Sequence, residues 1–209
     1  MTPSELDLLG YKREVQALYA RVRAEPDPER AFATWVAARD ELFARHPQSA
    51  LPPESRAGFR GLSYFPHDPA GRVPADVEPR PRRQLGVGAS NDGTIAFEVF
   101  GVARFTLGEV ACELELYWLS GYGGGLFVPF RDATAGTETY GGGRYLLDTV
   151  KGADLGMSDG RLVLDFNFAY NPSRSYDPRW TCPLAPPTNH LSIPVRMGER
   201  DPEPASVVE

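Results

Sequence analysis

Apolar side chains at Leu8, Tyr11, Val15, Leu18 and Val22 recur at alternating spacings of three and four, which draws a stripe along one face of an α-helix. Thr2, Pro3 and Glu5 supply a capping-box start, with proline at the first helical position. Asp27-Pro28 repeats the start signal. Phe32, Trp35, Val36, Leu42 and Phe43 then mark a second apolar face that stops before Pro47. The chain is therefore expected to open with two helices. Neither carries a cluster of catalytic residue types, so both read as packing elements.

After Pro52, Pro53 and a proline-rich connector from Tyr64 to Pro81, the period changes from helical to two. Alternation predicts strands over 82–89, 94–100, 102–107, 110–119, 126–130, 144–150, 161–168 and 191–196. Asn91-Asp92-Gly93 and Gly108-Glu109 sit between runs as hairpin turns. In 110–119, Val110, Cys112, Leu114, Leu116 and Trp118 alternate with Glu113, Glu115 and Tyr117, one face buried and the other wet. Cys112 falls on the apolar face, where a thiol behaves as a small hydrophobe. About eight short strands in succession predict a mainly β fold, an antiparallel barrel or sandwich with the two N-terminal helices packed on it. The expected division is a helical segment at 1–50, a β domain at 51–200 forming one unit with the helices, and a flexible tail at 201–209.

Composition narrows the classes. At 209 residues, 42% hydrophobic and 24% charged, the chain suits one ordered domain. Its net charge of −6 and scattered basic residues argue against nucleic acid, which needs a basic stripe to displace counterions. The start has no basic region followed by an apolar run, and no stretch approaches the ~18 apolar residues of a membrane span. No membrane partner and a cytoplasmic location are expected, with Cys112 and Cys182 as reduced thiols. His46, His67 and His190 lack metal-ligand spacing, and no cofactor is expected. Asp132, Glu138 and Asp165 are the oxygen ligands available for a hard metal ion. Of 22 basic side chains, 20 are Arg and only Lys12 and Lys151 are Lys, a bias that alone assigns no function.

The densest chemistry lies in 129–145, PFRDATAGTETYGGGRY. Three successive glycines at 141–143 weaken a strand, and a folded chain keeps them where φ is positive or where something approaches the backbone closely. Arg131 and Arg144 flank them with guanidinium forks suited to carboxylate or phosphate. The competing reading is structural: Arg131–Asp132 and Arg144–Glu138 ion pairs staking a turn, with the glycines in a bulge. The run fits neither a Walker loop nor a dinucleotide fingerprint. In 161–171, RLVLDFNFAYN, Leu162, Leu164, Phe166 and Phe168 line one face while Asp165 and Asn167 lie on the other, directed either at a cavity mouth or at solvent. The proline-rich stretch 169–190 has no periodicity, and its Tyr170, Tyr176 and Trp180 favour a docked lid over a linker. Cys182 and His190 lack an orienting partner for a nucleophile–base pair.

These stretches also carry a resemblance. PFRDATAGTETYGGGRYLL, LDFNFAYNPS and CPLAPPTNHLSIPVRMGER, with WVAARDELFARHPQSAL and FRGLSYFPHDPAGRV before them, are similar to the family known as domain of unknown function 1684, over about residues 32–200. The family brings no activity. It typically has Cys where this chain has Arg174 and Arg where it has His190, which argues against a shared thiol mechanism.

The expectation is a protein binding a small anionic metabolite in a polar pocket of the β-barrel. Arg131, Asp132, Arg144, Asn167, Tyr170 and Asn171 would bind it, and Glu138, Tyr140 and Asp165 would move protons if there is turnover. The alternative is a non-catalytic carrier or a protein-interaction module. Oligomeric state is open, a homodimer included.

Overall fold

The computed structural model describes residues 4–90, 93–121 and 123–202. Helix α1 (Glu5–Ala24) starts at Ser4, whose hydroxyl accepts from Asp7 N at 3.2 Å while the Asp7 carboxylate accepts from Ser4 N at 2.7 Å. The capping box thus sits two residues beyond the expected one. Thr2 and Pro3 lie outside the described residues, and Glu5 is the first helical residue. Helix α2 (Pro28–Arg45) starts as expected, with Asp27 accepting from Glu29 N and Arg30 N, and it stops before Pro47. The buried faces meet where the fully buried Trp35 donates its Nε1 to the Tyr19 hydroxyl at 3.1 Å. Leu8, expected on the apolar face of α1, remains exposed.

Seven antiparallel strands follow among the described residues: β1 (Arg72–Gly88), β2 (Thr94–Leu107), β3 (Val110–Leu119), β4 (Leu126–Phe130), β5 (Arg144–Asp148), β6 (Met157–Ser158) and β7 (Arg161–Asp165). They form one sheet in the order β5-β4-β3-β2-β1-β7-β6. Beyond β7 the chain reaches the far edge, where Tyr145 and Tyr170 exchange two backbone hydrogen bonds of 2.8 and 3.0 Å. The sheet therefore curls like a barrel, but a single bridge stands where full closure would need a continuous ladder. Leu114, Leu116, Val128, Phe130, Leu146, Leu147, Leu164 and Phe166 fill the interior and share one core with both helices. Each such side chain contributes about 1.5–3 kcal/mol of burial.

Several boundaries differ from those expected, each for a physical reason. The proline-rich stretch up to Pro81 contains the first half of β1. Arg72–Ala75 pair with β7 and Asp76–Gly88 with β2, so each part of β1 has a partner on one side, where a missing proline N–H is tolerated. The runs 94–100 and 102–107 are one strand with a register shift between Val99 and Gly101. Tyr117, placed on the wet face of β3 by alternation, is fully buried, while Trp118 is 40% exposed. Asn189 accounts for the first: it bridges β3 and β4 by accepting from Glu115 N and donating to Pro129 O, and thereby covers Tyr117. Strand β7 ends at Asp165, whose carboxylate accepts from Asn167 N and turns the chain into the 3-10 turn Phe166–Phe168. Residues 191–196 form no strand; they run as an extended strap against the chain after β4, with Leu191 N on Arg131 O and Ala133 N on Ile193 O. Gly108-Glu109 makes its hairpin turn, with Gly108 at φ +61°. Asn91 and Asp92 lie outside the described residues, as does 203–209 of the expected tail. No helix of the described residues is long and apolar enough to cross a membrane.

Candidate functional site

The 129–145 motif builds a clamp. Thr134 O accepts from the amides of Thr137, Glu138 and Thr139, closing a tight turn beyond β4. Asp132, buried beneath it, accepts from the Thr134 hydroxyl and from Val195 N at 2.6 Å, and stands 3.5 Å from Arg144 Nη2. Arg144 is only 1% exposed. It donates to Val195 O at 2.9 Å, to Glu199 O at 3.1 Å and to Met197 O, with its guanidinium 5.0 Å above the Phe130 ring. Burial pulls its pKa down to about 10 against the opposing pull of Asp132 and Glu199, so it is charged at neutral pH. Its fork therefore holds the main chain of the C-terminal strap. Gly143 has φ +92°, and a Cβ there would stand 2.6 Å from Phe130 O and 2.7 Å from Ala185, so the glycine serves the protein's own packing.

The other motif residues disperse. The Arg131 side chain is exposed, while its backbone pairs with Asn189 and Leu191. Glu138 binds Arg196 through both carboxylate oxygens at 2.8–3.0 Å, and those hydrogen bonds lower its pKa. The ion pairs are thus Arg144–Asp132 and Arg196–Glu138, not the expected Arg131–Asp132 and Arg144–Glu138. Tyr140 is half-buried, and burial raises its pKa. Asp165 and Asn167 are fully buried and meet each other: Asn167 Nδ2 donates to Asp165 Oδ1 and to Asp68 O, and its Oδ1 accepts from Asp68 N. Asp165 Oδ2 lies 3.5 Å from Arg72 Nη1 without a hydrogen bond. Neither Asp165 nor Asn167 meets solvent, and they tie β7 to the loop before β1. Asp132, Glu138 and Asp165 do not converge, and no group of three or more His, Cys, Asp and Glu among the described residues is placed to hold a metal. Cys112 and Cys182 are free thiols, Cys182 buried and His190 exposed.

A cavity of about 310 Å³ lies elsewhere, between α1, α2, the turn after β5 and the chain 170–182. Arg131, Arg144 and Asp165 do not line it; of the expected ligand residues Tyr170 and Asn171 do. The 169–190 stretch makes one wall and is docked, with Trp180 Nε1 donating to Ala50 O at 3.1 Å and Arg179 to Ser49 O and Leu51 O. The turn after β5 packs onto α1, where a Cβ at Gly152 would stand 3.1 Å from Gln16 N.

Charge on the wall is one-sided. Lys12, Arg39 and Lys151 line the cavity, and no described Asp or Glu does. Both lysines of the chain are thus in one place. Arg39, from the buried face of α2, donates Nη2 to Glu199 Oε2 at 2.9 Å and Nε to the Tyr64 hydroxyl at 3.2 Å. Its guanidinium also stacks 5.0 Å from the Tyr170 ring. Burial alone would lower the Arg39 pKa, but Glu199 and nearby tyrosines outweigh it and raise it well above the ordinary value. Arg39 Nη1 has no protein partner among the described residues. Lys151 stands 3.3 Å from Asp148 Oδ2, which raises its pKa. Asn171 is 3% exposed; its N donates to Glu199 Oε2 and its Nδ2 to Arg200 O, while its buried Oδ1 has no partner. Burial raises the pKa of the Tyr11 and Tyr170 phenols, which keeps both protonated as donors at neutral pH.

Sequence reasoning missed Lys12, Arg39 and Lys151, having read the helices as packing alone. The available signal was the pair of lysines in an arginine-rich chain, which becomes informative only once both fall on one wall.

Comparison with known proteins agrees with the motifs. The family described as "Protein of unknown function (DUF1684)" matches residues 57–200, a span that includes Lys151, Tyr170 and Asn171 and leaves out α1 and α2. The solution NMR structure of an uncharacterized protein of Haloarcula marismortui is 38% identical and superposes with a TM-score of 0.57, over 78% of this chain and 90% of that one. No curated protein matches. With well over half of its residues inside the family's span, the chain belongs to the DUF1684 family of proteins of unknown function.

Proposed function

We propose that the protein binds a small organic anion in the cavity between α1, α2 and the 170–182 chain. The carrying observation is a wall lined by Lys12, Arg39 and Lys151 and by no carboxylate of the described residues; Glu199 and Asp148 compensate Arg39 and Lys151 from behind it, and Lys12 has no ion-pair partner among the described residues, in a protein of net charge −6. A low-dielectric recess lined with one sign of charge concentrates ions of the other sign. A volume near 310 Å³ lies at the lower end of ligand-site sizes and suits a compact metabolite. The wall offers donors and positive charge but no described carboxylate or imidazole to take a proton. Glu138 is held ionised by Arg196, and Asp165 sits against Asn167. The arrangement therefore favours binding without turnover.

The test is denaturing release from the purified protein followed by mass spectrometry, then thermal unfolding with whatever anion is found. At a hundredfold excess over Kd a ligand adds about 2.7 kcal/mol, which raises the melting temperature of a chain this size by about 5–10 °C. Lys12→Met is expected to reduce that rise while leaving the unliganded melting temperature near that of the wild type. No released anion, and no rise with any organic anion at millimolar concentration, would end the proposal.

A further inference from the structure

The chemistry inside the cavity narrows the class of anion. Arg39 is compensated by Glu199 and Lys151 by Asp148, whereas Lys12 has no ion-pair partner among the described residues. One uncompensated positive charge remains, which matches one negative charge and not two, because an excess charge in a recess goes unpaired at high cost. Tyr11, Tyr19, Phe43, Tyr145, Tyr170 and Trp180 surround the space with ring faces and edges, surfaces suited to another flat ring. Arg39 Nη1 and Asn171 Oδ1 form the third feature, and both residues are tied to the same Glu199 oxygen. The printed partners of Arg39 engage its Nε and Nη2 and leave Nη1 over among the described residues, while the buried Asn171 Oδ1 has no hydrogen-bond partner. A hydroxyl group placed between them would satisfy both, since it accepts and donates at once. Leaving the amide oxygen unpaired in a buried site carries a desolvation cost that such a ligand relieves.

We infer that the cavity takes an aromatic monocarboxylate bearing a hydroxyl group, with the carboxylate at Lys12, the ring among the tyrosines, and the hydroxyl between Arg39 and Asn171. The inference rests on the proposed binding of an organic anion in this cavity. Lysine serves the carboxylate end because a compact ammonium fits beside a ring on a small wall, where the broader guanidinium fork would fill the space. That gives a physical reason for Lys12, one of the chain's two lysines, to lie here.

Isothermal titration of the full chain with five probes tests it: 4-hydroxyphenylacetate, phenylacetate, neutral 4-hydroxybenzyl alcohol, phenyl phosphate and succinate. The expected order places 4-hydroxyphenylacetate about tenfold or more above both phenylacetate, which lacks the hydroxyl, and the alcohol, which lacks the charge. Lys12→Met should remove the preference for acid over alcohol and leave the affinity for the alcohol unchanged. Equal affinity of wild type for acid and alcohol, or for the two phenylacetates, would overturn the inference. Binding of phenyl phosphate or succinate without either phenylacetate would overturn it too while leaving the broader anion reading intact. Failure of all four anions, with nothing released from the purified protein, would remove both.

Discussion

Arg144 is the residue whose role depends most on its surroundings. A guanidinium beside three glycines has the composition of an anion grip, and a change to lysine would then impair binding more than folding. Its actual partners are three carbonyls at Val195, Met197 and Glu199, together with Asp132. Lysine keeps the charge but cannot reach three carbonyls from one planar fork. Losing one or two charged hydrogen bonds costs about 2–4 kcal/mol. Arg144→Lys is therefore expected to lower the melting temperature by about 5–15 °C while leaving the affinity of the folded protein for the proposed anion unchanged; a mutant that unfolds normally but binds poorly would contradict this. Asp165 poses the opposite problem. Burial, partly opposed by Asn167 and Arg72, raises its carboxyl above the ordinary value of 3.8. A raised acid pKa adds stability below the unfolded value and withdraws it as pH rises through the folded value. Asp165→Asn should accordingly be more stable relative to wild type at pH 7 than at pH 4, as urea titrations at the two values would measure. A difference of the opposite sign would refute the burial argument.

At the scale of elements, the strap 191–200 decides more than its lack of regular structure implies. It provides the acceptors for Arg144, and its Glu199 is shared by Arg39, Tyr176 and Asn171. Arg39 and Glu199 are a buried pair, with side chains 9% and 1% exposed. Removing one partner of such a pair leaves an uncompensated buried charge, at a cost of about 3–5 kcal/mol. Glu199→Gln is thus expected to lower stability by that order in chemical denaturation, whereas Glu138→Gln, which breaks the exposed pair with Arg196, should leave it nearly unchanged. Comparable effects of the two changes would mean that the strap is not the clamp described. Both helices and the longer strands were legible because each repeats one period over many residues. The strap was not: alternation over 191–196 has the pattern of a strand, but its partners are a turn and side chains, with no neighbouring ladder to extend it. The first half of β1 was hidden by Pro74, Pro79 and Pro81, which a strand can carry only when paired on one side.

Across the whole molecule, the curled sheet and the helices leave their cavity at the join between them, where no single motif points. Its wall draws on α1, α2, the turn after β5 and the chain beyond β7, so its members stand as far apart in sequence as Lys12 and Cys182. Tyr170 and Asn171, which line the cavity, were legible as candidates because they sit at the start of an aromatic, proline-rich stretch too long to be a simple connector. Lys12, Arg39 and Lys151 were not, because a lone basic residue on a helix or turn has the pattern of a solvated face. The sequence by itself determined the two helices, the antiparallel β class and the hairpin at Gly108, since periodicity, caps and positive-φ glycines act over a few residues. Only the tertiary structure decided which acid each arginine meets, that the strap binds Arg144, and that both lysines line one space. Such contacts join residues from a dozen to more than a hundred positions apart, and no local period records them.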